Sequence, residues 1–292
     1  MPDTVLGIVG GTGVYSIEDL DAAERHAIDT PWGRPSGDLT TGSVDGVDVA
    51  FLPRHGDGHV HSPSGIPYRA NIAALKMIGA TDIVSVSACG SFREDLPPGS
   101  FLIVDQYIDR TIARDKSFFG AGCVGHVAFA KPTCARVSSA CATAASAAGV
   151  AFKNGGTYLA MEGPQFSTLA ESRLYREVWG CDVIGMTNMP EAKLAREAEI
   201  CYAAIAMITD YDCWHPDHGD IDLPAIIATL RANSASAARL LRKLPSILGS
   251  ERAPCEHGCD TALEHAIVTA PEKRDPELVE MLKTVAGRVL AQ

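Results

Sequence analysis

The amino-acid sequence predicts an α/β protein with a mixed β-sheet flanked by helices. Short apolar runs that end at Gly, Asn or Asp alternate with helical patterns from one end of the chain to the other, as in proteins of this class. The 292 residues are 46% hydrophobic, which is enough to bury a substantial core. No internal repeat or low-complexity linker divides them. We therefore expect one domain over residues 1–292, with residues 250–292 as a C-terminal helical extension.

Apolar runs bounded by turn residues predict the strands. The first run, residues 5–9, ends at the glycine-rich loop Gly10-Gly11-Thr12-Gly13. Residues 40–44 and 47–52 are separated by Asp45-Gly46, which suits the type I′ turn of a β-hairpin. Further strands are expected over residues 83–87, 100–107, 157–161, 181–186 and 201–208.

Apolar residues at helical spacing predict the helices. We place them over residues 69–78, 135–148, 169–178, 224–244 and 276–290. Strand 201–208 is apolar at both alternating positions, as expected of a central strand covered by helices on each face. The loops that follow the strands should then meet at one edge of the sheet, where open α/β sheets bind their ligands.

The formal net charge of −11 argues against two classes of partner. Nucleic acid and anionic membrane surfaces both attract proteins with clustered Lys and Arg. No apolar run approaches the roughly 20 residues that span a bilayer. No charged-then-apolar leader precedes residue 5, and the nine cysteines are odd in number and scattered. We therefore expect a cytoplasmic protein with reduced thiols and with neither a nucleic-acid nor a membrane partner.

Cys255 and Cys259, on either side of His257, form the tightest cysteine pair. Such a pair resembles half of a zinc site. A structural zinc site usually needs a second ligand pair, and none stands at a matching spacing. We therefore predict no bound metal.

Several loops carry groups that can hold an anion. The first glycine-rich loop offers free backbone amides and the hydroxyl of Thr12, although a tight turn explains the glycines equally well. Arg54 and His55 follow a hairpin strand; a guanidinium binds phosphate through two parallel hydrogen bonds, and a histidine adds a further donor. An Arg-His pair also occurs on surfaces without a ligand. Ser87 and Thr187 end buried strands, where a hydroxyl binds a ligand or caps a turn.

Asp210 and Asp212 follow the apolar strand 201–208 at a spacing of two, so an extended chain turns both carboxyl groups to the same side. Burial and mutual repulsion can raise the pKa of one of them, which then donates a proton to a leaving group. The alternative is a pair of turn or helix-capping aspartates. Phe166, in the turn that begins at Glu162, offers a ring that can stack on a flat ligand, although a core position is commoner for Phe.

Eight segments in order resemble the methylthioadenosine phosphorylase branch of the trimeric purine nucleoside phosphorylase family. The resemblance runs from about Val5 to Leu244, which is most of the chain, and the segments that carry it are IVGGTGVY, PRHGDGH, IPYRANI, SACGSFRE, PGSFLIVDQYIDRT, MEGPQFSTLAES, GMTNMPEAKLAREA and CYAAIAMITDYDCW. Two positions depart from the animal enzymes of that family: Ser87 stands in place of a threonine and Gly185 in place of an asparagine. Residues beyond Ser250 do not clearly match the family's C-terminus.

The resemblance implies a role for each candidate residue. It assigns the phosphate site to Thr12, Arg54, His55, Ser87, Ala88 and Thr187. Met186 would pack against the ribose and Phe166 against the purine. Asp210 and Asp212 would be the catalytic pair at the purine N7 and exocyclic amine.

Two further features follow from the same resemblance. Leu223 and Ile226 stand where relatives that select a 5′-hydroxyl have a histidine, which implies a preference for an apolar 5′-methylthio group; core packing is the alternative role of these side chains. The family is homotrimeric, and a histidine, here His126, would be donated to the neighbouring subunit's site.

The implied activity is phosphorolysis of S-methyl-5′-thioadenosine to adenine and 5-methylthioribose 1-phosphate, a pentosyl transfer in purine and methionine salvage. Inorganic phosphate is the co-substrate, and no cofactor is implied. The nearest alternative is a phosphorylase for 6-oxopurine nucleosides or methylthioinosine, which Asp210 disfavours because a carboxylate repels a 6-keto oxygen. A nucleotide-binding oxidoreductase lacks the third glycine of its fingerprint here. A non-catalytic nucleoside sensor on the same fold is the remaining alternative.

Overall fold

The computed structural model describes residues 3–11, 20–216 and 223–290 of the chain. The described strands are β1 (Val5–Gly10), β2 (Asp21–His26), β3 (Leu39–Val44), β4 (Val47–Pro53), β5 (Asp82–Ser91), β6 (Phe101–Val104), β7 (Gln106–Arg110), β8 (Phe152–Asn154), β9 (Thr157–Met161), β10 (Val183–Gly185) and β11 (Cys201–Asp210). The described α-helices are α1 (Tyr68–Met77), α2 (Ala135–Ala147), α3 (Leu169–Arg173), α4 (Asn188–Glu197), α5 (Leu223–Leu241), α6 (Leu244–Leu248) and α7 (Pro276–Leu290). A π-helical turn, Leu174–Val178, extends α3.

These strands form one mixed sheet that branches at β5. One path runs β2-β3-β4-β1-β5-β10-β9-β7, and the other leaves β5 through β11 to β6 and β8. The pairs β4-β1, β1-β5 and β5-β11 are parallel, so four carboxyl ends meet at one edge of the sheet. The predicted fold class is confirmed, and the loops expected to bind a ligand emerge at this edge.

Helices cover both faces of the sheet. One core lies under α1, α4 and α7, and the other under α2, α5 and α6. Alternate residues of β11 enter the two cores: Ala204 and Ile208 belong to the first, and Ile205 and Met207 to the second. The prediction of a central strand covered on both faces is confirmed. Such a strand holds the residues at its end in a fixed place.

The strand predicted over residues 100–107 is two strands with different neighbours. β6 pairs with β11 and β8, whereas β7 pairs with β9. Asp105 lies between them, and its Oδ1 accepts a hydrogen bond from the Gly156 N–H at 2.9 Å. Because only Asp105 and Gln106 interrupt the apolar run, apolar spacing did not reveal the break.

Three described elements were not predicted. β2 is exposed along most of its length, so it has no apolar run. β8 has only three residues. α4 contains Pro190 near its start, and the backbone of Met189 there is not helical.

The long helix predicted over residues 224–244 is also divided into two. α5 ends at Leu241, and α6 begins at Leu244 with Pro245 in its first turn. Pro245 has no N–H to donate to the carbonyl of Leu241, four residues earlier, and its ring clashes with that carbonyl, which explains why one continuous helix does not form. Ile227, an apolar residue within the predicted helix 224–244, is 49% exposed and does not belong to the core.

The chain after Gly249 is helical only in part. Between α6 and α7 it forms two short 3-10 turns, Cys259–Thr261 and Pro271–Lys273. α7 has the predicted bounds and packs against α1. Within the described ranges, no helix is long and apolar enough to cross a membrane.

Candidate active site

A cavity of about 450 Å³ opens at the carboxyl ends of β5 and β11. Its volume falls within the range of small-molecule sites. It is lined by residues from the loop after β4, from β5, from the loop before α3, from β10, from the end of β11 and from α5: Arg54, His55, His59, Ser62, Pro63, Ser87, Ala88, Cys89, Gly90, Met161, Pro164, Phe166, Ile184, Gly185, Met186, Thr187, Thr209, Asp210, Asp212, Ile226 and Leu230.

The fold brings most of the predicted site residues to this one cavity. Those that line it are Arg54, His55, Ser87, Ala88, Phe166, Met186, Thr187, Asp210, Asp212 and Ile226. Thr12 and the side chain of Leu223 lie outside the described residues. His126 does not line the cavity of its own chain. It is exposed, and its backbone N–H donates to the Ala266 carbonyl at 2.8 Å.

Arg54 is fully buried and held from three sides. Its Nε donates to Glu191 Oε2 at 2.8 Å, and its Nη1 to the Val86 carbonyl at 3.0 Å. Its Nη2 donates to Ser85 Oγ at 2.5 Å and to the Val9 carbonyl at 3.2 Å. A guanidinium has five N–H donors, so these bonds leave one Nη1 hydrogen for a ligand. Arg54 can therefore donate one hydrogen bond to phosphate, rather than the two parallel hydrogen bonds that were expected.

Glu191 keeps Arg54 charged. Burial by itself would lower the pKa of Arg54, but the charge and the hydrogen bonds of Glu191 raise it above its ordinary value. Glu191 is only 2% exposed, so the pair is removed from water. The positive charge beside the cavity is thus permanent, and its position is fixed.

A buried polar network connects this ion pair to Ser87. Tyr202 donates to Glu191 Oε1 at 2.8 Å, and Asn188 Nδ2 donates to both Tyr202 Oη (3.0 Å) and Ser85 Oγ (2.9 Å). The Oδ1 of Asn188 accepts from Ser87 Oγ at 3.4 Å. Because this last bond is long, the Ser87 hydroxyl can turn towards a ligand at small cost.

Thr187 offers a second hydroxyl. It occupies the N-cap position of α4, yet its side chain makes no capping hydrogen bond. The alternative of a turn-capping residue is therefore not the role of this hydroxyl in the described structure.

His55 presents an acceptor rather than a donor. Its Nδ1 lies 2.8 Å from the His61 carbonyl, which only accepts, so Nδ1 carries the ring hydrogen. Burial lowers the pKa of His55 to about 4, and Arg54 contributes to this, although the bond to His61 opposes it. The ring is thus neutral at pH 7, and Nε2 is an acceptor. The expected second donor to an anion is corrected: Nε2 suits an oxygen that carries a hydrogen.

The two aspartates meet through a turn. Asp210 ends β11 after an irregularity in the register, and Asp212 has a left-handed backbone with φ 54°. The Asp212 N–H donates to Asp210 Oδ2 at 2.9 Å, and the Thr209 hydroxyl donates to Oδ1 at 2.7 Å. The carboxyl groups share the cavity as predicted, but the extended geometry expected between them is wrong.

The environment of Asp212 makes its carboxyl group harder to ionise than that of a free aspartate. Burial raises its pKa, and the charge of Asp210 adds to the effect, whereas the Ser167 hydroxyl, which donates to Asp212 Oδ1 at 3.4 Å, opposes it. Gly90 allows both aspartates to approach β5, because a Cβ there would lie 3.1 Å from Asp210 Oδ2.

Arg114 holds together two loops, the one that carries Phe166 and the one that carries Met186. It is buried, and it donates to the carbonyls of Met186 (2.7 Å) and Glu162 (2.9 Å). The Glu162 carboxylate bonds to Ser64 and to backbone N–H groups, so it serves the loop rather than the cavity. Phe166 remains 49% exposed at the cavity, where its ring is available to a ligand.

The departure at Gly185 has a local cause. This glycine lines the cavity, and a Cβ at its position would overlap the hydroxyl of Tyr158. Tyr158 is fully buried, and the Thr187 N–H points at its hydroxyl from 3.5 Å. A tyrosine from the neighbouring strand β9 therefore fills the space of a side chain at position 185.

The sequence did not reveal the buried polar residues that hydrogen-bond to the residues of the site and hold them in place. Arg114 lies outside the segments that carry the resemblance; Asn188 and Glu191 lie within GMTNMPEAKLAREA, but the resemblance assigned them no role. The one available signal was indirect: a buried arginine such as Arg54 needs a carboxylate partner.

The chain is similar to proteins of known activity. The profile of the phosphorylase superfamily matches residues 5–245. S-methyl-5′-thioadenosine phosphorylase of Cereibacter sphaeroides is 65% identical, with 98% of this chain and 99% of that protein covered. The protein of the same name from Bradyrhizobium diazoefficiens is 54% identical, with 99% of each covered. These relatives extend beyond Ser250, so the C-terminal segment has counterparts among them.

Solved structures of proteins with the same name are also similar to this chain. The structure of methylthioadenosine phosphorylase sourced from an antarctic soil metagenomic library has a TM-score of 0.90 and 43% identity, with 98% of this chain and 99% of that chain covered. Methylthioadenosine phosphorylase from Schistosoma mansoni in complex with adenine has a TM-score of 0.83 and 30% identity, with 93% and 99% covered.

Proposed function

The chain belongs to the phosphorylase superfamily, and from that premise we propose that its cavity binds S-methyl-5′-thioadenosine with inorganic phosphate and splits the nucleoside. The C1′–N9 bond breaks, a phosphate oxygen bonds to C1′, and the purine leaves with a proton at N7. The products are adenine and 5-methylthioribose 1-phosphate, and the reaction is a pentosyl transfer.

One observation carries this proposal: an anion-binding group and an acidic pair lie along the same strand and line one cavity. Arg54 bonds to the Val86 carbonyl, and Asp210 lies against Gly90, so four residues of β5 separate them. At about 3.3 Å per residue this is roughly 13 Å. A phosphate, a ribose and a purine placed in a row need a space of this kind.

At the phosphate end, each group has a distinct task. Arg54 supplies a fixed charge and one donor, Ser87 and Thr187 supply hydroxyls, and His55 Nε2 accepts the hydrogen of monohydrogen phosphate. Thr12 and Ala88 complete the set by resemblance. Holding the nucleophile against C1′ in this way contributes up to about 7–11 kcal/mol in favourable cases.

At the base end, the aspartates receive the purine. Asp210 and Asp212 would bond to N7 and the exocyclic amine, with Phe166 against the ring and Met186 against the ribose. Proton donation to a leaving group is usually worth about 10²–10⁴-fold. Burial raises the pKa of Asp212, so placing a proton on this member of the pair costs less than placing one on a free aspartate.

The 5′ substituent would face apolar side chains. Ile226 and Leu230 of α5 line the cavity, and an apolar wall favours a methylthio group over a hydroxyl, which would lose its hydrogen bonds to water. Equal kcat/KM for methylthioadenosine and adenosine would contradict this assignment.

We further propose a cytoplasmic homotrimer that uses phosphate as co-substrate and needs no cofactor for the chemical step. The exposed position of His126, outside the cavity of its own chain, supports donation to a neighbouring subunit. Sedimentation equilibrium should give three times the chain mass. The products would enter purine and methionine salvage.

The decisive assay follows adenine release from methylthioadenosine with and without phosphate. We expect release only when phosphate is present, with one sugar phosphate formed per adenine. Release in water alone would indicate a hydrolase, and no release would indicate a binding protein.

Asp210→Asn tests the choice of purine. A carboxylate accepts from a 6-amino group, whereas an asparagine also donates to a 6-keto oxygen. We expect the preference for methylthioadenosine over methylthioinosine, measured as a ratio of kcat/KM, to fall about tenfold or more, since an unpaired buried polar group costs about 1–3 kcal/mol. An unchanged ratio would remove Asp210 from the purine site.

A further inference from the structure

Four buried cysteines meet away from the cavity. Cys134 is the residue before α2, Cys201 begins β11, and Cys255 and Cys259 lie in the segment between α6 and α7. All four sulfur atoms lie within 4.8 Å of one another, and the sulfurs of Cys134 and Cys255 are 3.7 Å apart. None of the four side chains is more than 6% exposed.

We propose that these four cysteines bind one Zn²⁺ ion as a structural tetrathiolate site. Tetrahedral zinc has Zn–S bonds of about 2.3 Å, which puts neighbouring sulfurs about 3.8 Å apart. The observed separations approach this value, and they are far longer than the S–S bond of about 2.05 Å in a disulfide. Cys255 and Cys259 also have a ligand spacing common in zinc sites.

The surroundings suit a negatively charged centre. A zinc ion with four thiolates carries a net charge of −2, and such buried charge needs nearby donors. Arg252 Nη2 lies 3.2 Å from the Cys201 sulfur, and the N-terminus of α2 begins next to Cys134. Arg252 and Arg136 are themselves positioned by ion pairs with the buried Asp82.

The position of the site indicates a structural role. Cys201 and Asp210 stand at opposite ends of β11, nine residues or about 30 Å apart. Four cysteine ligands also fill a tetrahedral shell, so no position remains for a substrate.

The segment that this site would fasten has little regular structure of its own. Between α6 and α7 it has only short 3-10 turns. It nevertheless supports the loop that carries His126: the His126 N–H donates to the Ala266 carbonyl (2.8 Å), and the Val268 N–H donates to the Val124 carbonyl (3.0 Å). Loss of the metal should therefore loosen this segment and the loop with it.

The first test is the metal content of the untagged wild-type protein, purified without chelator and measured by inductively coupled plasma mass spectrometry. We expect about one zinc per chain. After the metal is removed in denaturant, alkylation and intact-mass analysis should find all four cysteines as free thiols. Binding the ion releases the protons of those thiols, so zinc uptake by the apo-protein should acidify a weakly buffered solution.

Cys255→Ser is the test variant, and Cys141→Ala is its matched control, because Cys141 is equally buried in α2 but lies outside the cluster. The test variant should lose the zinc and melt at a lower temperature, whereas the control should keep about one equivalent. In cobalt-substituted protein, thiolate-to-metal charge-transfer bands should appear for the control and be absent for the test variant.

Wild-type protein with less than about 0.1 zinc per chain after growth in zinc-supplemented medium would overturn the proposal, whether the cysteines are then free or joined in two disulfides. This outcome does not depend on the folding of any variant.

Discussion

Asp212 combines a buried carboxyl group with a left-handed backbone, and each property has its own consequence. Its raised pKa means that the folded chain binds the proton more tightly than the unfolded chain. The stability that this gives is complete below the ordinary pKa of 3.8 and is lost as the pH rises through the raised value. At neutral pH the charged group therefore opposes folding.

Asp212→Asn should separate stability from activity. Asparagine has no charge to bury and tolerates a positive φ. We expect a melting temperature at pH 7 equal to or above that of the wild type, an advantage that disappears near pH 4 and below, and a loss of about 10²-fold or more in kcat/KM. Thermal scans over a pH series and phosphorolysis assays measure both effects.

Asp45→Asn is the matched control for the backbone, because Asp45 also has a left-handed φ, of 52°, but is exposed in the β3-β4 turn. It should change neither activity nor the pH dependence of melting. A lower melting temperature for Asp212→Asn at pH 7, with the control unchanged, would show that the charged carboxylate stabilises the fold.

Single residues divided sharply into those the sequence could reveal and those it could not. Arg54, Ser87 and Asp210 follow apolar strands, so their place at the sheet edge was predictable. The tautomer of His55 was not, because it depends on one carbonyl six residues away that accepts from Nδ1. Nor was the partner of Arg54, because Glu191 lies 137 residues away along the chain.

At the scale of elements, β10 is constrained by its neighbour β9. We expect Gly185→Ala to destabilise the protein by about 1–3 kcal/mol, because the new methyl group overlaps the buried Tyr158 hydroxyl and overpacking has this cost. Urea unfolding measures the difference. Gly120→Ala is the control, since a Cβ there meets open space. Equal stability of the two variants would show that Tyr158 moves aside freely.

Elements with a strong apolar period were predicted well, and those without one were not. β11 is buried on both faces and α7 has one apolar face, so both were placed closely. β2 is exposed and α4 begins around a proline, so neither left a pattern. Between β6 and β7 the chain changes its neighbouring strands. Contacts with distant parts of the chain determine where this happens, so the local spacing of apolar residues does not predict it.

At the scale of the whole molecule, the proposed trimer predicts that two inactive variants rescue each other. Each site would use Asp210 of one chain and His126 of its neighbour. Refolding a mixture of His126→Ala and Asp210→Ala chains should therefore restore phosphorolysis, because some mixed sites contain both native residues. Activity of the mixture against that of each variant alone is the measurement.

The control mixture is Arg54→Ala with Asp210→Ala, two residues that line the cavity of one chain. No mixed site in it is complete, so it should stay inactive. Failure of the first mixture, with trimers formed, would place His126 outside the neighbour's site.

The long-range assembly of the chain was the least accessible to sequence reasoning. Cysteines from three distant segments converge at one point. In the sequence, Cys255 and Cys259 have no second cysteine pair nearby, so the sequence argued against a metal site. The sheet, in contrast, followed from the local alternation of strands and helices. Local patterns thus predicted the sheet and the helices that cover it. Only the folded structure shows which side chains from distant parts of the chain lie close together.

The fixed orientation of the His55 ring has a consequence for anion selectivity. The neutral imidazole donates its one N–H hydrogen to the His61 carbonyl, so only the lone pair of Nε2 is left to contact a bound anion. Sulfate matches phosphate in shape and charge but carries no hydrogen at neutral pH, so it would bring an oxygen against that lone pair. Arsenate does carry one. We therefore expect arsenate to replace phosphate as co-substrate, and sulfate to inhibit phosphorolysis only weakly when it is added in competition with phosphate.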